Sequence, residues 1–97
     1  MPKAYWITTY SRILDTAKID AYAKLAGPAI EACGGIYLAR GIAQKAYEAG
    51  LEERTVLTIF PSLADAITAH DSPGYTAALA ALDGGAIREI RIIEAVE

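Results

Sequence analysis

A small set of side chains could do chemistry: Arg40 within "GGIYLARG", Tyr5, Tyr37 and Tyr75, and the adjacent His70 and Asp71. A guanidinium offers parallel N–H donors that match a carboxylate, so Arg40 is a candidate anchor for a small anionic ligand. An ion pair with a glutamate, within the chain or between subunits, is the competing role. Phenols at Tyr5, Tyr37 and Tyr75 could donate to the same ligand, although Tyr37 also suits core packing. His70 is the candidate catalytic residue, because an imidazole can give and take a proton. A hydrogen-bonded place in the core or at its rim is the plainer role. Neighbours on a helix diverge by about a quarter turn, so His70 and Asp71 are not expected to form a dyad, and Asp71 suits a cap for the Ser72-Pro73 turn.

Other chemistries find little support. One cysteine and one histidine rule out an internal disulfide and a Cys/His zinc site. No metal site is expected, a carboxylate-rich one being the weak alternative, and Cys33 is expected to be a small buried hydrophobe. No serine sits in a nucleophile elbow, and neither GxGxxG nor a Walker pattern occurs, so no cofactor is expected. The formal net charge is −3 and the nine basic residues are scattered, which argues against a nucleic-acid partner. No run approaches the roughly 20 apolar residues needed to span a bilayer, and "MPKAYWITTY" does not read as a secretory signal, so a cytoplasmic protein without a membrane partner is expected.

The elements that must position these residues follow from pattern. With 54% hydrophobic and 22% charged residues, the 97-residue chain has the balance of one folded domain spanning residues 1–97. "KAYWITTY" is rich in β-branched and aromatic residues and predicts a strand. From a cap at Asp15 or Thr16, Ile19, Tyr22, Ala23, Ala26, Ala29, Ile30 and Cys33 recur at helical spacing. A kink is expected at Gly27-Pro28, because proline cannot donate to the Lys24 carbonyl. Gly34 and Gly35 close the helix.

"IYLARGI" and "RTVLTIF" predict a hairpin, with "AQKAYEAG" extended between them. In such a strand Arg40 shares a face with Ile36, Leu38 and Ile42. Ser62 followed by Asp65 predicts a capped helix carrying Leu63, Ala66, Ile67 and His70 inward. Ser72-Pro73 restarts it with Tyr75, Ala78, Leu79 and Leu82, and "AIREIRIIEAV" predicts the last strand.

The order β-α-β-β-α-β predicts an α+β, ferredoxin-like fold: a four-stranded antiparallel sheet with helices on one face. Strand one alternates Tyr5 and Ile7 with Ala4 and Trp6, so both faces are apolar. Helices can cover only one, and a second copy packed sheet to sheet, a homodimer, would cover the other.

"GGIYLARG", with Arg54, Phe60-Pro61-Ser62, Ser72-Pro73 and Tyr75 at matching distances, resembles the domain-of-unknown-function 1330 family over nearly the whole chain. The resemblance implies a dimeric α+β barrel, a superfamily that includes cofactor-independent monooxygenases, haem-degrading enzymes and small isomerases or lyases. The chain departs from the family pattern at Ile59, where an acidic residue is common, and at Ile36, Ala69, His70, Gly74 and Thr76. The expected function is a homodimer that binds a small carboxylated organic molecule, with a cofactor-independent enzyme as its catalytic form. The alternative is a non-catalytic metabolite-binding or structural assembly module.

Overall fold

A computed structural model describes residues 2–96. Its elements run β1 (Ala4–Ile13), α1 (Thr16–Ala32), β2 (Ile36–Ile42), β3 (Arg54–Phe60), α2 (Leu63–Asp71), α3 (Pro73–Leu82) and β4 (Ala86–Glu94). The strands form one antiparallel sheet in the order β2-β3-β1-β4, the ferredoxin-like plan. No helix among the described residues is long and apolar enough to cross a membrane.

Local chemistry sets the helix ends. The Asp15 carboxylate accepts from the amides of Ala17 and Lys18 at 3.0 and 3.2 Å, capping α1. The helix then runs unbroken through Pro28. It ends where Gly34, at φ 84°, turns left-handed and the Gly35 amide returns to the Ile30 carbonyl at 3.0 Å. Ser62 accepts from the Asp65 amide at 3.1 Å and so begins α2. Ser72, rather than Asp71, makes the next junction. Its hydroxyl donates to the Ala69 carbonyl at 2.8 Å and accepts from the Tyr75 amide at 3.2 Å, ending α2 and starting α3.

One sheet face carries the core. Ala4, Trp6 and Phe60 meet Ala26, Ile30, Ala66, Ala69, Tyr75 and Ala78 from the helices. The alanines bring the helix backbones close, and the aromatic rings fill the space between them. Trp6 Nε1 donates to Thr8 Oγ1 at 3.0 Å, so the buried indole keeps its hydrogen bond. Ile67 and Leu79, expected inward, are instead largely exposed; the alanines one position before each take the buried places.

The opposite face has no helix. Tyr5, Ile7, Leu57 and Ile59 are half-buried there, and Ile36, Ile87 and Ile93 are 62%, 54% and 59% exposed.

Two expectations are corrected at β2. Residues 43–50 do not extend the strand: the Gly50 amide turns back to the Tyr47 carbonyl at 2.9 Å, and Glu48 adopts φ 55°. Pairing with β3 stops at the Ala43–Glu53 bond, so an extended segment beyond it would have left its amides unpaired. Strict alternation also fails, because Tyr37 pairs with Thr58 and Ala39 with Leu57, leaving Leu38 as a bulge. That extra residue turns Arg40 to the face of Tyr37, not to that of Ile36.

Gly35 is where helix end and core approach most closely: a Cβ there would lie 2.5 Å from Ile30 Cγ2 and 2.8 Å from the Phe60 ring. Gly35→Ala should therefore destabilise the fold by about 1–3 kcal/mol, the usual cost of overpacking, as measured by urea unfolding. A change within error would mean that the helix end is loosely packed.

Candidate functional site

Four elements converge on one guanidinium. Arg88 of β4 donates through Nη1 to the phenol oxygens of Tyr10 (β1) and Tyr22 (α1) at 3.3 and 3.1 Å. Through Nη2 it donates to Tyr75 (α3) at 3.2 Å. Tyr22 and Tyr75 are themselves 2.7 Å apart, oxygen to oxygen. One phenol proton bridges that pair, and the remaining phenol protons are not needed by Arg88, which can only donate.

Beside this network, between the sheet and α1, lies a cavity of about 30 Å³. Arg40, Arg54 and Arg88 line it together with Tyr10, Tyr22 and Tyr37, while Ala23, Ala26, Ile30 and Val56 supply its apolar wall. It is large enough for water or a small ion, and a larger ligand requires side chains to move. Arg40 lies over the Tyr37 ring at 4.5 Å, and Arg54 approaches the Tyr10 ring at 5.9 Å. Two wider hollows, about 430 and 580 Å³, are open grooves beside the 43–51 loop and along β2.

The electrostatics of the cavity are one-sided. Among the described residues, no carboxylate lines it. The ion pairs among the described residues are Lys18–Asp83 and Arg91–Glu89, and neither these nor the His70–Asp71 contact uses Arg40, Arg54 or Arg88. Arg54 Nε is buried without any hydrogen-bond partner. Burial raises the Tyr75 phenol far above its ordinary value, helped by Tyr22 and opposed by Arg88, so Tyr75 stays protonated. Burial also raises Tyr37, with Arg40 opposing it. For Arg88 burial acts the other way, but the surrounding phenols outweigh it and the guanidinium stays charged.

The residues singled out by sequence are dispersed. Arg40 and Tyr37 line the cavity together, and Tyr75 reaches its edge through Tyr22 and Arg88. Tyr5 is on the opposite sheet face, since it alternates with the buried Ala4 and Trp6. His70 stands at the end of α2, its ring centre 5.6 Å from that of Trp6 and 5.2 Å from that of Tyr75, and it does not line the cavity. Its Nδ1 is 3.0 Å from Asp71 Oδ1, so the two do meet despite their divergence along the helix. The helix ends at Asp71, where that side chain can fold back. Arg54, Arg88, Tyr10 and Tyr22 were not anticipated. A signal existed: Arg88 is in phase with Ile90 and Ile92, and Arg54 with Val56, Thr58 and Phe60, which marks both as facing the helices.

The raised Tyr75 phenol gives a pH prediction. In the unfolded chain a tyrosine ionises near its ordinary value of 10.0, whereas folded Tyr75 resists ionisation. Its contribution to stability is thus complete below that pH and is lost as pH rises through and above it. Tyr75→Phe should lower stability at neutral pH by about 1–3 kcal/mol and flatten the alkaline decline. Thermal melts across that range check both, and an unchanged alkaline slope would remove Tyr75 as its source.

A model for a domain of unknown function (DUF1330) matches residues 3–96. No curated protein matches the chain. A solved protein of unknown function from Rhodopseudomonas palustris superposes with a TM-score of 0.75 at 14% identity, over 99% of this chain and 84% of that one. SnoaB of Streptomyces nogalater, a cofactor-independent oxygenase, gives 0.66 at 11% identity, over 100% and 96%. A dimeric protein of unknown function with a ferredoxin-like fold, from Bacteroides fragilis, gives 0.56 at 13% identity, over 95% of each chain. At such identities the likeness is one of fold.

Proposed function

We propose that this chain, which belongs to the DUF1330 family, is a homodimer that binds a small anionic organic molecule, carboxylated in the simplest case, between its sheet and α1. One observation carries the reading: among the described residues, three guanidinium groups line a single cavity and no carboxylate does. Arginines in a structural pair would face a glutamate or aspartate, whereas these face phenols, each other's fields and a void. Phenols can hydrogen-bond a cation but do not neutralise it, so an anion is the missing complement. The exposed Arg40 can swing outward to admit a ligand larger than the cavity.

Dimerisation has its own support. The bare sheet face is apolar at Tyr5, Ile7, Leu57, Ile59 and Ile93, and a protein of like fold is described as dimeric. A sheet-to-sheet contact of this sort should bury more than ~1,200 Å² in total. Light scattering at micromolar concentration should give twice the chain mass; a stable monomer would end this part of the reading.

A second reading, a cofactor-independent enzyme, draws on the likeness to SnoaB. There His70 would act as acid or base, for a ligand long enough to extend from the arginines to the end of α2. A metabolite-binding module that transforms nothing needs only the arginines and phenols.

The binding test is a thermal-shift and calorimetric screen of short-chain carboxylates. Arg40→Met should leave the melting temperature nearly unchanged and weaken the best carboxylate by roughly 1 kcal/mol, a charged hydrogen bond discounted for solvent exposure. Should no small carboxylate bind or stabilise the wild-type protein, the anion reading is wrong.

A further inference from the structure

Three guanidinium groups meet at one cavity, and a single negative charge would balance only one of them. In open solvent the surplus would be screened, but here the cations sit partly out of water, where an uncompensated charge is costly. Arg88 and Arg54 both approach the same phenol ring, with guanidinium carbons 5.5 and 5.9 Å from the centre of Tyr10. Strands β3 and β4 flank β1 on opposite edges, so the two guanidinium groups reach Tyr10 from its two sides, an arrangement that offers one carboxylate site each to a short diacid. Arg54 adds a specific vacancy among hydrogen bonds, since its buried Nε donates to nothing. Ala23, Ala26 and Val56 form an apolar surface that suits a hydrocarbon spacer.

We propose that the cleft selects an organic dianion whose charges lie on separate groups, a short-chain dicarboxylate being the simplest. Arg88 and Arg54 hold one carboxylate each, and Arg40, the most exposed of the three, closes the mouth over the ligand. The inference rests on the anion-binding reading and sharpens it to a substrate class. Because the cavity is only about 30 Å³, lining side chains, the exposed Arg40 first among them, must move as the diacid enters.

The chain's single tryptophan, Trp6, lines the cavity, so its fluorescence reports occupancy directly. Butyrate, succinate and inorganic phosphate are titrated at matched ionic strength into the wild-type protein, Arg54→Met and Arg54→Lys. Succinate should bind about tenfold or more tightly than either butyrate or phosphate, the scale of one added charge-assisted hydrogen bond. Arg54→Met should abolish most of the preference for succinate over butyrate, while Arg54→Lys, which keeps the charge, retains part of it. Equal affinities for succinate and butyrate would overturn the dianion inference while leaving the anion site standing. Phosphate binding as tightly as succinate would overturn the separation of the two charges. Binding of none of the three would sink the anion site and the inference together. The wild-type comparison decides these outcomes even where a variant fails to fold.

Discussion

The Arg88 guanidinium is the interaction on which the layer around the cleft depends. It is bonded at once to β1, α1 and α3, through Tyr10, Tyr22 and Tyr75, while itself belonging to β4. Those bonds tie both helices to the sheet at the end of the molecule where the apolar core gives way to Tyr10, Ile19 and Leu82. The arrangement satisfies hydrogen bonding without satisfying charge, since three neutral oxygens surround a cation. A glutamate in place of one phenol would have neutralised Arg88 and closed the network. With no acid among the described residues of the lining, the arginines leave a positive field in a cavity of a chain whose net charge is −3.

The two ends of the helical layer solve different problems. Toward Phe60 the helices present alanines, and Trp6, Phe60 and Tyr75 fill the gap: Trp6 stacks on Phe60 at 5.9 Å and meets Tyr75 edge-on at 5.0 Å. Toward Arg88 the same tyrosine turns its hydroxyl into the polar network. Tyr75 thus belongs to both regions, with its ring in the core and its oxygen at the site. The Ser72 junction fixes it there, because the hydroxyl that ends α2 also anchors the Tyr75 amide. The resulting slab is only 15 Å in its shortest dimension, and the sheet's second face is left apolar.

Most of the fold was legible in the sequence. The four strands, the caps at Asp15 and Ser62, the closure at Gly34-Gly35 and the restart at Ser72-Pro73 are each written in local residue chemistry, which tertiary packing here reinforces. The site was less legible, for two physical reasons. A bulge at Leu38 reverses strand alternation, and nothing in "IYLARG" announces it, so alternation alone puts Arg40 on the wrong face. Arg54 and Arg88 follow alternation faithfully. Arginine is ordinarily a surface residue, and only register with Val56, Thr58, Ile90 and Ile92 shows these two turned inward. Tyr10 and Tyr22 likewise acquire a role only through Arg88, a partner 78 and 66 residues away in sequence.

The central claim is that Arg40, Arg54 and Arg88 await an anion instead of a carboxylate from another part of the assembly. A crystal structure of the assembled protein grown in bromide, read by its anomalous signal, tests this most directly. An anomalous peak in the cavity, within contact of the Arg54 and Arg88 guanidinium groups, is the predicted result. A cavity without bromide, its arginines paired to a glutamate or aspartate of the second copy, would contradict the claim and make the cluster a structural clasp between subunits.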